Sequence, residues 1–187
     1  MGPYYFTALI NLLGPIKRIG GSAVTAIPVR TIGSGPKRGQ TIQVEVADHV
    51  TGTLEFESDV VATTIISFAT AHNSFAPITI FGTEGTLQVP DPNSFDGEVQ
   101  VRHLDDDWQT VVSDEPQGYG RSAGVAEMAH SLRSGRACRA SGQLGFAVLD
   151  AMQGLLEASQ TGRTYSIVVP HERPAPVPTG LSKGVFD

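Results

Sequence analysis

The chain has 187 residues, room for one domain with a sizeable core, and its 40 % hydrophobic and 17 % charged content is ordinary for a globular protein. A formal charge of −6, from 13 basic and 19 acidic residues, excludes the basic face that nucleic acid or anionic lipid would need, so neither nucleic acid nor membrane is expected as a partner. The single cysteine, Cys138, excludes an intrachain disulfide and a cysteine-based zinc cluster, and it fits a reducing cytoplasm.

Met1 to Leu13 is apolar but lacks a basic leader region, and Gly14-Pro15 follows it where a cleavage site would stand. No run reaches the ~18 apolar residues of a membrane span. The segment reads as a helix instead. Pro3 suits the first helical position, Tyr5, Leu9, Leu12 and Leu13 form one stripe, and Gly14-Pro15 ends it. A chain that opens directly on such a helix is expected to be a fragment or a truncated gene product.

A long strand is expected over Ile16 to Ile27, with a bulge at Gly20-Gly21. Residues 30 to 40 form a loop or hairpin end rich in Gly, Pro, Lys and Arg. Ile42, Val44 and Val46 alternate with polar residues, as do Val50, Gly52, Leu54 and Phe56, the period of strands with one buried face. Ser58-Asp59 makes a tight turn into Val60 to Phe68, which is apolar on both faces and reads as a central strand. Two further hairpins follow, one turning at Gly82-Thr83-Glu84-Gly85 and one at Asp105-Asp106-Asp107. Strand follows strand through short turns, which predicts an antiparallel sheet and no βαβ alternation.

The last third is helical by its spacing. Val125, Met128, Ala129 and Leu132 define one helix between a Ser122 cap and Gly135, and Leu144, Val148, Ala151, Leu155 and Ala158 a longer one between Ser141 and Gly162. Tyr165 to Val169 adds an edge strand, and a proline-rich tail begins at Pro170. The fold class is therefore α+β, an open and mostly antiparallel sheet with helices on one face. Residues 1–169 form one domain and 170–187 a tail.

Three motifs resemble catalytic signatures without their context. Gly118 to Ala123 matches a dinucleotide-binding G-x-G-x-x-A, but the preceding strand belongs to a hairpin where a parallel strand is needed. Gly120 to Gly124 matches a G-x-S-x-G elbow, with Asp150 and His171 in hydrolase order, yet Ser122 stands at a helix start, Asp150 in a helix and His171 in the tail. Glu127-x-x-His130 lacks the second copy of a di-iron bundle and reads as a solvated helix face. Asp105 to Asp107 reads as a turn of solvated carboxylates, and Cys138, between Arg136 and Arg139, as incidental. No cofactor or metal site is expected on this chain.

Five stretches in order carry a resemblance: Gly2-Pro3-Tyr4-Tyr5 through Ala8 to Pro15; Leu54-Glu55-Phe56-Glu57-Ser58; Ile80-Phe81-Gly82-Thr83-Glu84-Gly85-Thr86-Leu87; Arg139-Ala140-Ser141-Gly142; and Arg173-Pro174-Ala175-Pro176. Together they resemble the C-terminal domain of the glucose–fructose oxidoreductase / inositol dehydrogenase / rhizopine-catabolism (Gfo/Idh/MocA) family. The resemblance implies a substrate-binding and oligomerisation domain of an NAD(P)-dependent oxidoreductase acting on a sugar, a polyol or a related compound. NAD or NADP would be bound by an N-terminal Rossmann domain whose lysine-bearing E-K-P motif is absent here. The sheet's exposed face would make a homo-oligomer, a dimer or a tetramer. Many members carry D-x-x-x-H at the start of this domain, and Tyr4 stands at the position of that histidine. Tyr4 is thus the catalytic candidate, a phenol able to exchange a proton during hydride transfer. His72 and Asn73, after the strand ending at Phe68, and Arg121, ahead of the Val125 helix, are the substrate-binding candidates. The domain alone is expected to be inactive. The alternative is a freestanding dimerisation or sugar-binding module.

Overall fold

In a computed structural model, residues 1–95, 97–112 and 118–186 are described. The elements run α1 (Gly2–Leu13), β1 (Ile16–Val24), β2 (Val29–Thr31), β3 (Thr41–Gln43), β4 (His49–Phe56), β5 (Val61–Ser67), β6 (Ile78–Phe81), β7 (Gly85–Val89), β8 (Val99–His103), β9 (Gln109–Val111), α2 (Ser122–Ser134), α3 (Gly142–Thr161) and β10 (Tyr165–Ser166). The strand pairings are antiparallel among the described residues. The fold is α+β with open sheets, as the turn pattern predicts. The chain divides into two compact units, Met1–Asn73 with Gln143–Arg173, and Ser74–Gly142 with Pro174–Asp187.

The first unit holds a four-stranded sheet in the order β10-β1-β4-β5 and the short β2-β3 hairpin. Alternation assigns its two faces. Ile19, Gly21 and Ala23 of β1 pair with Leu54, Gly52 and Val50 of β4, and these pair in turn with Ala62, Thr64 and Ile66 of β5. This inner face receives α1 and α3. Phe6, Ile10, Ile16, Ile19, Leu54, Phe56, Leu144, Val148, Ala151 and Leu155 form one buried cluster. Each large side chain there contributes about 1.5–3 kcal/mol by leaving water. The buried stripe of α1 is Gly2, Phe6 and Ile10, one position away from the stripe expected from Tyr5 and Leu9, and Leu12 lies exposed. Leu9 and Leu13 flank the cluster instead.

The chain bulges between Ile16 and Arg18, not at Gly20-Gly21. The glycines have a packing role. A Cβ on Gly21 would run into the backbone carbonyl of Leu155, and one on Gly52 into the Leu155 side chain and the Gly20 carbonyl. Their absent side chains let α3 lie directly on the sheet. Asp59, at a φ of 61°, takes the left-handed turn between β4 and β5. β5 is an edge strand of this sheet, not a central one: Val61 and Ile65 are 64 % and 60 % exposed, while Ala62 and Ile66 pack inward.

The second unit is a meander, β6-β7-β8-β9, with α2 and the C-terminal tail. Both sequence-predicted hairpins are present. Arg121, not Ser122, occupies the N-cap of α2, and Gly135 at a φ of 74° ends the helix. The stripe of α2 is inverted relative to the expectation. Val125, Met128 and Leu132 are exposed, while Glu127 and Ser131 are buried. Glu127 is no solvated carboxylate: it receives Arg136 Nη1 at 2.6 Å, Arg139 Nη1 at 3.1 Å and the Cys138 thiol at 3.2 Å. Burial raises its carboxyl pKa, but the bonds from Arg136, Cys138 and Arg139 outweigh that and hold it below the usual range. Arg139 also donates to the carbonyls of Ala175, Pro176 and Phe186, which fastens the tail within this unit.

Candidate functional site

The open face of the first unit's sheet is the side opposite α1 and α3. Its rows, read across β1, β4 and β5, are Arg18-Glu55-Val61, Gly20-Thr53-Thr63, Ser22-Thr51-Ile65 and Val24-His49-Ser67. Arg18 and Glu55 form a bidentate pair, with Nη2 2.6 Å from Oε2, and their hydrogen bond raises the guanidinium pKa. Both remain largely exposed, so the pair contributes little to stability. Threonines, one ion pair and the exposed Val24, Val61 and Ile65 give this face the mixed character of a protein-binding surface.

One end of the sheet gathers polar groups. Arg30 Nη2 donates to Asp48 Oδ2 at 2.8 Å and to the Phe68 carbonyl at 2.9 Å, and its guanidinium carbon lies 5.9 Å from the Phe68 ring centroid. The Asp48 carboxylate also accepts the N–H groups of Ala26, at 2.6 Å, and Ile27, at 3.1 Å. The Arg30 bond, then the Ala26 bond, holds the Asp48 carboxyl below its ordinary value despite burial. His49 Nδ1 stands 2.9 Å from Ser67 Oγ on the open face. These three residues do not form a nucleophilic triad, because the Asp48 carboxylate is bound to Arg30 and to backbone N–H groups.

Tyr4 lies on the first turn of α1 and is 40 % exposed. A Cβ on Gly2, in the same turn, would stand 3.9 Å from Ile66 Cδ1. The start of α1 therefore overlies the last part of β5, from which the chain leaves toward His72 and Asn73, both exposed. Tyr4, His72 and Asn73 are thus carried by neighbouring segments of one unit. Arg121 belongs to the second unit, where its Nη2 donates to Asn93 Oδ1 at 3.1 Å. Sequence reasoning passed over Asp48, His49 and Arg30. The only local sign was an acidic and an imidazole residue directly before an alternating strand.

The motifs set aside earlier have other work. Asp150 is buried and accepts Tyr165 Oη at 2.6 Å and the N–H groups of Val168 and Val169. That bond, with burial, pushes the Tyr165 pKa up to about 12. His171 Nδ1 lies 3.0 Å from the Val169 carbonyl. Ser122 is the first residue of α2. The loop expected between β9 and Gly118 falls partly outside the described residues.

A dinucleotide does not fit these residues. Its site needs a parallel βαβ unit whose helix N-terminus meets the pyrophosphate. Among the described residues the strand that precedes Gly118 is β9, which pairs antiparallel with β8. Among the described residues no group of three or more His, Cys, Asp or Glu side chains could hold a metal ion, and no helix is long and apolar enough to cross a membrane.

Comparison with known proteins places these observations. Residues 1–88 match the model of the GFO/IDH/MocA C-terminal domain. No curated protein matches the chain. Among solved structures, levoglucosan dehydrogenase in its apo form is 19 % identical, with a TM-score of 0.70 over 91 % of this chain and 51 % of that one. An NAD binding oxidoreductase from Klebsiella pneumoniae is 20 % identical, with a TM-score of 0.69 over 89 % and 49 %. An aldose-aldose oxidoreductase from Caulobacter crescentus, complexed with glycerol, is 21 % identical, with a TM-score of 0.65 over 88 % and 45 %. At such identities the likeness establishes the fold, and the chain spans about half the length of the structures it matches. Over residues 1–88 the chain is similar to the GFO/IDH/MocA C-terminal domain, and over most of its length it shares the fold of these oxidoreductase structures.

Proposed function

We propose that this chain is the substrate-binding and oligomerisation domain of a cytoplasmic NAD(P)-dependent oxidoreductase acting on a sugar, a polyol or a related compound. The observation that carries the reading is the fold, which covers 91 % of this chain but only 51 % of levoglucosan dehydrogenase, a protein also solved with NADH and levoglucosan. The nucleotide would be held elsewhere, since no βαβ unit stands among the described residues. In this reading Tyr4 moves a proton at its phenol oxygen, and His72 and Asn73, carried by the same unit, contact substrate hydroxyls. The open sheet face pairs with a second copy through Val24, Val61 and Ile65.

By itself the chain is expected to leave NADH fluorescence unchanged and to oxidise no sugar. Joined behind the nucleotide-binding half of a structural neighbour, it is expected to support sugar-dependent NAD⁺ reduction, with Tyr4→Phe lowering kcat. Binding of NADH to the chain alone at an affinity on the order of micromolar would overturn the division of labour. A monomer by sedimentation at the concentrations where the fused protein works would overturn the oligomerisation role.

A further inference from the structure

The β2-β3 hairpin forms its own two-stranded sheet, apart from the four-stranded sheet of the same unit. Two short strands alone are marginally stable in water, so the hairpin depends on side chains for its anchorage. Asp48 supplies one end of it. Its carboxylate, only 5 % exposed, accepts the N–H groups of Ala26 and Ile27 in the lead into β2. Its backbone N–H donates to the Val24 carbonyl at the end of β1. Arg30, in the middle of β2, supplies the other end. Its Nη2 carries two N–H groups and donates both to Asp48 Oδ2 and to the Phe68 carbonyl.

The same groups hold the chain where it leaves β5. Phe68 is tied on both sides of its backbone, its N–H donating to the Asp48 carbonyl at 2.7 Å and its carbonyl accepting Arg30 at 2.9 Å. The Ala69 N–H donates to Ser67 Oγ at 3.1 Å, and that hydroxyl stands 2.9 Å from His49 Nδ1. Beyond this root Thr70, Ala71, His72 and Asn73 are exposed, and no helix or strand intervenes before β6. An exposed segment is only as well placed as the root that carries it.

We propose that Arg30 is a positioning residue for the segment that bears His72 and Asn73, clamping its root to Asp48 and to the β2-β3 hairpin. This rests on the reading of those two side chains as substrate contacts. Arg30 acts on them through the backbone of Phe68 and touches no reacting atom. Its bond to Asp48 is charge-assisted and largely screened from water, which stiffens the clamp. Lysine keeps the charge on a flexible stem without the planar fork, so it restores the clamp only in part.

Two measurements test this. In the isotope-labelled chain alone, backbone order parameters over residues 69–73 are expected above about 0.8 in the wild type and below about 0.6 in Arg30→Gln, with Arg30→Lys between. Circular dichroism shows that each variant is folded. A wild-type segment already below about 0.6, or one unchanged in Arg30→Gln, overturns the proposal. In the chain joined behind a nucleotide-binding half, Arg30→Gln is expected to raise the sugar KM about tenfold. It leaves kcat and the KM for NAD⁺ within about twofold, and Arg30→Lys recovers part of the loss. His72→Ala raises the sugar KM as well, and the double variant is no worse than the poorer single one, because both act through one segment. Additive losses, or an equal rise in the KM for NAD⁺, overturn the proposal. A joined protein that reduces no NAD⁺ counts against the functional reading instead, and the order parameters then decide the clamp.

Discussion

Gly20 and Gly21 are adjacent in one strand and face opposite sides of the sheet, so alanine at each tests the assignment of the two faces. At Gly21 a Cβ meets the carbonyl oxygen, carbonyl carbon and Cα of Leu155, all backbone atoms of α3. Backbone cannot rotate away, so the helix must shift off the sheet and loosen Leu54, Ala151 and Leu155 in the shared cluster. Overpacking of this kind costs about 1–3 kcal/mol. At Gly20 nothing lies within 4 Å of the new methyl. Alanine there loses less freedom on folding and is neutral or stabilising by about 0.4–1 kcal/mol. For a chain of this size each kcal/mol moves Tm by about 2–4 °C. Thermal melts followed by circular dichroism at the helix band should show Gly21→Ala lower than wild type by about 2–12 °C and Gly20→Ala at or above it. Equal melting of the two variants, or a larger loss for Gly20→Ala, would refute the placement of α3 on the Gly21 face.

Other substitutions probe the polar interior and the open face. Glu127→Gln removes the charge shared by Arg136 and Arg139 and should cost about 1–3 kcal/mol in urea unfolding. Because the folded Glu127 and Asp48 carboxyls both lie below their ordinary values of 4.5 and 3.8, their stabilisation is full above those values. It is lost as pH falls through the depressed folded values, so acid melts should steepen below about pH 4 and Glu127→Gln should flatten that slope. Tyr165 should ionise at about pH 12 in an absorbance titration, with the stability it contributes present below its unfolded value of 10 and lost as pH rises toward 12. Asp150→Asn should bring that titration down. A Val61→Lys, Ile65→Lys double variant should shift sedimentation toward monomer while changing stability by no more than about 1 kcal/mol, since both side chains are exposed within the chain.

Much of the architecture was legible because it is local. Gly82 to Gly85, Ser58-Asp59 and Asp105 to Asp107 turn the chain through their own backbone preferences, and two-residue alternation follows from the pleat. The start of α1 at Gly2-Pro3 and the ends of α2 and α3 at Gly135 and Gly162 have the same local origin. Of the candidate site, Tyr4, His72, Asn73 and Arg121 came from the family resemblance and its strand ends. The Arg30-Asp48 pair and the His49-Ser67 contact each join residues 18 positions apart, the first from β2 to the loop before β4 and the second through the β4-β5 register, and alternation reveals neither.

Tertiary structure decided the rest. Val60 to Phe68 is apolar enough for a central strand, yet β5 is an edge of its sheet, since β4 pairs with it on one side and no strand among the described residues joins it on the other. In α2 the apolar stripe faces water and a glutamate is buried, because Arg136, Cys138 and Arg139 come back past the helix end to satisfy that carboxylate. Hydrophobic spacing cannot anticipate such an exchange, since burial of a charge depends on partners that only the folded chain brings near. By itself the sequence determined an antiparallel α+β chain with its turns and helix limits. Which face of the first unit's sheet is covered, and so which remains free to bind, followed from how α1 and α3 lie on it, with Gly21 and Gly52 letting α3 approach.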